Sequence, residues 1–380
     1  MRYLAFALCL FLLACQPNSK ESTAGDKNTN ADLSADVTTI NTESKPNSKP
    51  IVFTTNLDNL RLRDQPGTEG KEIARLPLGT KVYDTGEVSD FTTSLKLRGV
   101  KFDEPWIKIK TAQGLSGWIY GGGLSYNLDP NNPAAQALMQ KRLAGLFGSA
   151  IAEDIENYTV NYNNASTSAG FAKVYDQGVA LRDRFVELLE KKVEVNHENP
   201  ADLFWLKQAI PGYVPQLAAE GTIYYLFNDY RQFEQKAKST SGKEDDEMAQ
   251  LFYMVHKGDS VEYFYPSWFM QTWDYGGHSL LGRGTHTAVL QELDRLNQES
   301  EYFAKPIRDI KEKLITDITE QYSAYWEPKE KVLKELANII AADYNVFTKE
   351  DKVTLETRMN MMESPKENKI EFNARAGMGQ

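Results

Sequence analysis

The chain has 380 residues, is 41% hydrophobic and 25% charged, and carries a formal net charge of -10. That length suffices for two domains with cores of their own, and the acid excess argues against nucleic-acid binding and against adsorption to anionic lipid through surface charge. Its two cysteines are Cys9 and Cys15, so nothing downstream forms a disulfide or a thiolate metal site.

Met1-Arg2 gives a positive start, and Tyr3 to Ala14 is an apolar run too short to remain as a membrane-spanning helix. The run ends Leu12-Leu-Ala-Cys15, which resembles a lipobox. The resemblance implies a signal peptide over 1–14, cleavage before Cys15 and diacylation of its thiol; a plain secretory signal with a chance cysteine is the competing reading. Gln16 stands where enterobacterial lipoproteins retained at the inner membrane carry Asp. By resemblance this favours an outer-membrane anchor facing the periplasm, with the chain tethered to the bilayer through Cys15 and not spanning it. Residues 16–50 are rich in Ser, Thr, Asn, Asp, Lys and Pro with almost nothing to bury, so 15–50 is expected as lipidated cysteine plus disordered tether. Such a tether reaches roughly 30 Å.

From 51 to 126 the pattern has period two. Leu60-Arg-Leu-Arg63, Ile73 to Val82, Trp106-Ile-Lys-Ile109 and Gly117-Trp-Ile-Tyr120 alternate apolar and polar residues, and Pro66-Gly67, Pro77-Leu-Gly79 and Gln113-Gly114 mark turns. Their order and spacing resemble the bacterial SH3 (SH3b) domain, a small barrel. The resemblance implies binding of peptidoglycan stem peptides or another envelope ligand, although many such domains are accessory modules. The stretch between Tyr83 and Trp106 is longer and more charged than a minimal barrel of this kind. It is expected as an extended hairpin or a long loop, either a binding element or a surface insertion. Trp106 and Tyr120 are groove candidates, each in competition with a core role, and Trp118 is assigned to the core. Gly121-Gly-Gly123 lacks a following Gly-Lys-Ser/Thr and reads as a turn; no cofactor is implied.

After an Asn/Asp/Pro linker at 127–133 the period becomes helical. Ala135 to Leu146, Val174 to Leu189, 215–237, Glu244 to Lys257, Thr285 to Leu296, Ile307 to Tyr322 and the stretch from Pro328 to Ile340 carry apolar residues three and four apart. Asn199-Pro200 reads as a helix start, Thr285 as a cap, and Thr348-Lys-Glu-Asp351 as a capping box. His197 and His256 lie near helix ends, where a cation suits the dipole. The expected fold class is multidomain: a small all-β SH3-like barrel, then an all-α region over 127–362 and a loose tail over 363–380.

Asp259 to His286 breaks the helical pattern and gathers aromatics, two histidines, an arginine and acids. A long irregular loop in a compact region is commonly functional. Asp274, His278 and His286 are candidate metal ligands without a supporting spacing. Tyr263, Tyr265, Trp268, Trp273 and Tyr275 are a candidate stacking platform for sugars. Arg283 and Thr285 at a helix start are a candidate carboxylate or phosphate site. Against all three stands a buried aromatic loop with satisfied histidines, the favoured reading. No Gly-x-Ser-x-Gly is present and no cysteine remains as a nucleophile. The function expected is non-catalytic binding of a cell-wall or envelope ligand by the barrel. The alternative is a wall-remodelling hydrolase using Asp274, His278, Arg283 and His286.

Overall fold

Strict alternation builds the first sheet in the computed structural model, which describes residues 51–126, 133–195, 201, 203–218, 221, 223–256, 265–271, 277–320 and 323–374. The strands are β1 (Val52–Thr55), β2 (Leu60–Arg63), β3 (Glu72–Leu76), β4 (Lys81–Leu97), β5 (Val100–Thr111), β6 (Ser116–Tyr120) and β7 (Leu124–Tyr126). They form one seven-stranded antiparallel sheet in the order β3-β2-β6-β5-β4-β1-β7. Phe53, Leu62, Val82, Ile107, Ile109, Ile119 and Leu124 fill its interior and are fully buried. Each contributes about 1.5–3 kcal/mol of burial, and this places the hydrophobic centre of the barrel at the period-two positions.

The charged insertion is a hairpin arm made by the far halves of β4 and β5. Its tip turns through Arg98 and Gly99 at φ 45° and 78°, the paired positive angles of a two-residue type I′ turn. The tip rests on the chain leaving a long helix. Glu194 N–H donates to the Gly99 carbonyl at 3.0 Å, Val100 forms a bridge with Val193, and Lys96 pairs with Glu194. A Cβ on Gly99 would run into the Glu194 carbonyl, so this position needs glycine for both its angle and its space. The insertion is therefore a brace.

The helical region contains α1 (Pro133–Phe147), α2 (Ser149–Asn164), α3 (Ser168–Lys192), a single turn α4 (Leu206–Ala209), α5 (Tyr230–Ala237), α6 (Glu244–Val255), α7 (Thr285–Glu299), α8 (Ala304–Thr319), α9 (Lys329–Ala341) and α10 (Lys349–Glu363). The expected multidomain class holds, a seven-stranded barrel followed by helices, but the helical region also carries two small sheets. One replaces the helix expected over 215–237. There β8 (Tyr213–Ala218) and β9 (Ile223–Asn228) make a hairpin around Gly221 at φ 76°, and only Tyr230 onward is helical. Tyr224, Leu226 and Phe227 are aromatic or apolar on both faces, and their burial against α3 decides for strand where periodicity is ambiguous. The second sheet joins β10 (Phe269–Gln271), β11 (Gly277–Ser279), β12 (Ala324–Tyr325) and β13 (Glu371–Phe372) in that order. Its last strand lies in the expected tail, where Ile370 and Ala374 are buried. The capping box is present, with the Thr348 hydroxyl accepting from Asp351 N–H and the Asp351 carboxylate from Thr348 N–H. Asn199-Pro200 and His197 lie outside the described residues.

Barrel and helices meet through α1. Arg142 enters the barrel end with its side chain fully buried. It pairs through Nε with Glu104 Oε1 at 2.7 Å and donates to the Leu124 and Gly121 carbonyls at 2.9 and 2.6 Å. Its guanidinium lies 3.9 Å from the Tyr126 ring centroid. The Tyr126 hydroxyl donates to the other Glu104 oxygen at 3.2 Å. The barrel and the first helix are thereby one mechanical unit.

Candidate functional site

On β5 the residues Trp106, Lys108 and Lys110 face outward while Ile107 and Ile109 face in; on β6 Ser116, Trp118 and Tyr120 face outward while Ile119 faces in. Register sets Trp106 beside Tyr120 and Lys108 beside Trp118, with Arg63 of β2 on the other flank of Trp118. The arm covers the upper pair. Trp106 Nε1–H donates to Thr93 Oγ1 at 2.8 Å, the Tyr120 hydroxyl donates to the Thr93 carbonyl at 2.6 Å, and both residues are only 3% exposed. Neither ring is offered to a ligand. Burial holds the Tyr120 hydroxyl well above the ordinary phenol range.

The lower pair is only partly covered. Trp118, assigned to the core on sequence grounds, does pack against it, but its side chain is half-buried and keeps an accessible part. Lys108 Nζ stands 5.9 Å from its ring centroid and is held at 2.7 Å by Glu87 on the arm. An aromatic face flanked by a lysine and a carboxylate suits a ligand with an apolar or sugar face and polar or charged substituents. The signal for Trp118 was in the alternation itself: it shares a face with Lys108, whereas Ile119 takes the inward position.

The stretch 259–286 is described only in part, and Tyr263, Trp273, Asp274 and Tyr275 lie outside the described residues. Trp268 is fully buried, with its carbonyl accepting from Leu280 N–H at 2.8 Å, so it is no stacking platform. His278 is half-buried on β11 and its ring lies 6.1 Å from Trp326. His286 is fully buried, and its Nε2 lies 3.5 Å from both Ser279 Oγ and Asp317 Oδ2. Ser279 Oγ donates directly to Asp317 at 3.2 Å. A nucleophilic relay needs one imidazole nitrogen on the nucleophile and the other on the acid; here one nitrogen faces both, in the core. Burial pushes the Asp317 carboxyl up, against its hydrogen bond with His286.

The helix start at Arg283 does hold a carboxylate, one from this chain. Glu335 of α9, 7% exposed, accepts from Gly282 and Gly284 N–H at 2.5 and 2.9 Å and from the Thr287 amide and hydroxyl at 3.1 and 2.9 Å. It fills the place an external anion would take and replaces the expected Thr285 cap. Arg283 pairs with Glu327 at 2.9 Å. Replacing Glu335 with alanine should cost about 2–3 kcal/mol in urea unfolding, since three amides lose a charged partner, and glutamine should recover part of it. An unchanged midpoint in Glu335→Ala would show that water serves these amides equally well. Among the described residues no group of three His, Cys, Asp or Glu side chains is placed to hold a metal, and no helix is long and apolar enough to cross a membrane.

The fold and the outward Trp118 row define a barrel of the SH3 class with a helical partner region. Residues 58–125 match the bacterial SH3 domain family, and this segment is a bacterial SH3 domain. No curated protein and no solved structure matches the chain.

Proposed function

We propose that this protein is a cell-envelope lipoprotein, anchored through Cys15 to the outer membrane and facing the periplasm, whose SH3 domain binds peptidoglycan or another envelope ligand without catalysis. The observation that carries the reading is the SH3 domain at 58–125 with Trp118 partly open beside Lys108 on its outer face. The bacterial SH3 family supplies the expectation of a wall ligand, and the Leu12-Leu-Ala-Cys15 sequence supplies the expectation of an anchor. Arg142 ties the barrel to α1, so the test uses the full chain. It should co-sediment with purified peptidoglycan sacculi and release no soluble fragments. Trp118→Ala should weaken sedimentation about tenfold, equivalent to about 1.4 kcal/mol, in a chain that still unfolds cooperatively. Retention of full binding by Trp118→Ala would move the ligand elsewhere, and release of fragments would make the protein a hydrolase. In cells, wild type should take up palmitate label and Cys15→Ser should lose it while keeping residues 1–14 uncleaved. Absence of label from wild type, or its retention in Cys15→Ser, would remove the anchor at Cys15.

A further inference from the structure

A groove of about 340 Å3 runs through the helical region between α1, α2 and the single turn α4. Small-molecule sites occupy roughly 300–1,000 Å3, so the groove has the size of one. Its floor is apolar and buried. Met139 and Leu143 of α1 and Ala209 of α4 are 3%, 0% and 6% exposed. One side is tied down by hydroxyls of α2: Tyr158 donates to the Pro211 carbonyl at 2.7 Å and Thr159 to the Ala209 carbonyl at 3.1 Å. The groove is therefore preformed.

Carboxamides surround this floor. Gln136 and Gln140 come from α1, Asn163 from α2 and Gln208 from α4. Each offers two N–H donors and an acceptor oxygen. Among the described residues, the side chains of Gln140 and Asn163 have no hydrogen-bond partner within the chain. Glu156 is the one charged residue on the lining, whereas the hollows beside Asp176 and Lys331 each carry at least three ionised side chains. An anionic ligand finds no cation here, and a cationic one finds a single exposed carboxylate. The lining is all helix except for Pro211. Main-chain groups within helices bond to one another, and proline has no N–H, so an extended peptide has no strand edge to join. Glu156 and Asn163 lie seven positions apart on α2, about 10 Å along its axis, which exceeds one sugar ring.

We propose that this groove binds a neutral oligosaccharide bearing N-acetyl groups. The C–H faces of the rings and the acetamido methyls lie on Met139, Leu143 and Ala209. The acetamido amides and ring hydroxyls meet the carboxamides of Gln140 and Asn163. An amide suits a carboxamide because each both donates and accepts, and its methyl covers apolar floor that a hydroxyl would leave uncovered. A sugar without acetamido groups satisfies the rim but not the floor. The proposal does not rest on the ligand of the barrel, since no barrel residue lines this groove.

The test is calorimetric titration of the full chain with the trimer of N-acetylglucosamine, with cellotriose, which carries hydroxyls in place of the acetamido groups, and with N-acetyl-trialanine amide. The acetylated trimer should bind with a Kd below about 1 mM, and cellotriose and the blocked peptide at least about tenfold more weakly. Gln140→Ala combined with Asn163→Ala should weaken binding of the trimer about tenfold. Val160 lines the groove and is 50% exposed, so Val160→Lys should fill the groove and abolish binding. Gln140 is half-buried and Asn163 exposed, so these variants should still unfold cooperatively. Trp118→Ala should leave trimer binding unchanged, which separates this site from the barrel. No binding of the trimer, equal binding of cellotriose or of the peptide, full affinity in the folded Gln140/Asn163 variant or in Val160→Lys, or loss of binding in Trp118→Ala would each overturn the proposal.

Discussion

Replacing Arg142 with alanine should lower the stability of the folded chain by about 3–5 kcal/mol, the loss expected when one partner of a buried ion pair is removed. The side chains of Arg142 and Glu104 are 0% and 3% exposed. Without the guanidinium, the Glu104 carboxylate keeps the Tyr126 hydroxyl, the Leu124 carbonyl loses the Arg142 donor, and the Gly121 carbonyl keeps Leu124 N–H. Lysine should not rescue it, because the planar fork that serves one carboxylate and two carbonyls at once has no equivalent in an ammonium. Removing both charges is the decisive control. Arg142→Met combined with Glu104→Leu should be clearly more stable than Arg142→Ala, since no uncompensated charge is left inside. Urea unfolding of the three variants checks this. A midpoint for Arg142→Ala within about 1 kcal/mol of wild type would mean that water reaches Glu104 and that the barrel does not depend on α1.

Arg142 also shows why the join between the two regions was not legible in the sequence. It lies on a helix face written by Ala135, Leu138, Met139 and Leu143, and nothing in that pattern separates an arginine bound for a buried carboxylate from one in solvent. The barrel was legible because alternation and turn residues are local. What alternation left undecided was which outward aromatics would be covered. The arm that buries Trp106 and Tyr120 and leaves Trp118 partly open comes from the charged insertion, whose docking on Glu194 is a contact 95 residues distant, from Gly99 to Glu194. The hairpin at 213–228 was misread because its apolar residues satisfy both periods, and packing against α3 settled the matter. The anion site at Arg283 was correctly sensed in kind, since glycines and a helix start do gather a carboxylate. Its occupant, Glu335, comes from α9, about fifty positions later, and no local signal announces it.

The second large effect concerns pH and reverses a sequence expectation. His256 ends α6, where a cation would suit the helix dipole, yet the residue is buried and stacked on Tyr230. Burial first, and the charge of Lys313 second, lower its pKa to about 3. The unfolded chain protonates this imidazole near pH 6.5, and the folded chain does so only near pH 3. Between those values the unfolded state binds the extra proton, so acidification favours unfolding. The stabilisation is complete above pH 6.5 and is lost as pH falls toward 3, with a slope of up to about 1.4 kcal/mol per pH unit and a total of up to about 5 kcal/mol. The raised carboxyls of Asp176 and Asp317 act with the opposite sign. The informative quantity is therefore the difference between wild type and His256→Phe, which keeps a flat ring on Tyr230 and cannot accept a proton. His256→Phe should lose less stability than wild type between pH 6.5 and 4 in urea unfolding. Parallel pH profiles would show that His256 gains its proton without unfolding, and that the helix end, not the buried ring stack, sets its charge.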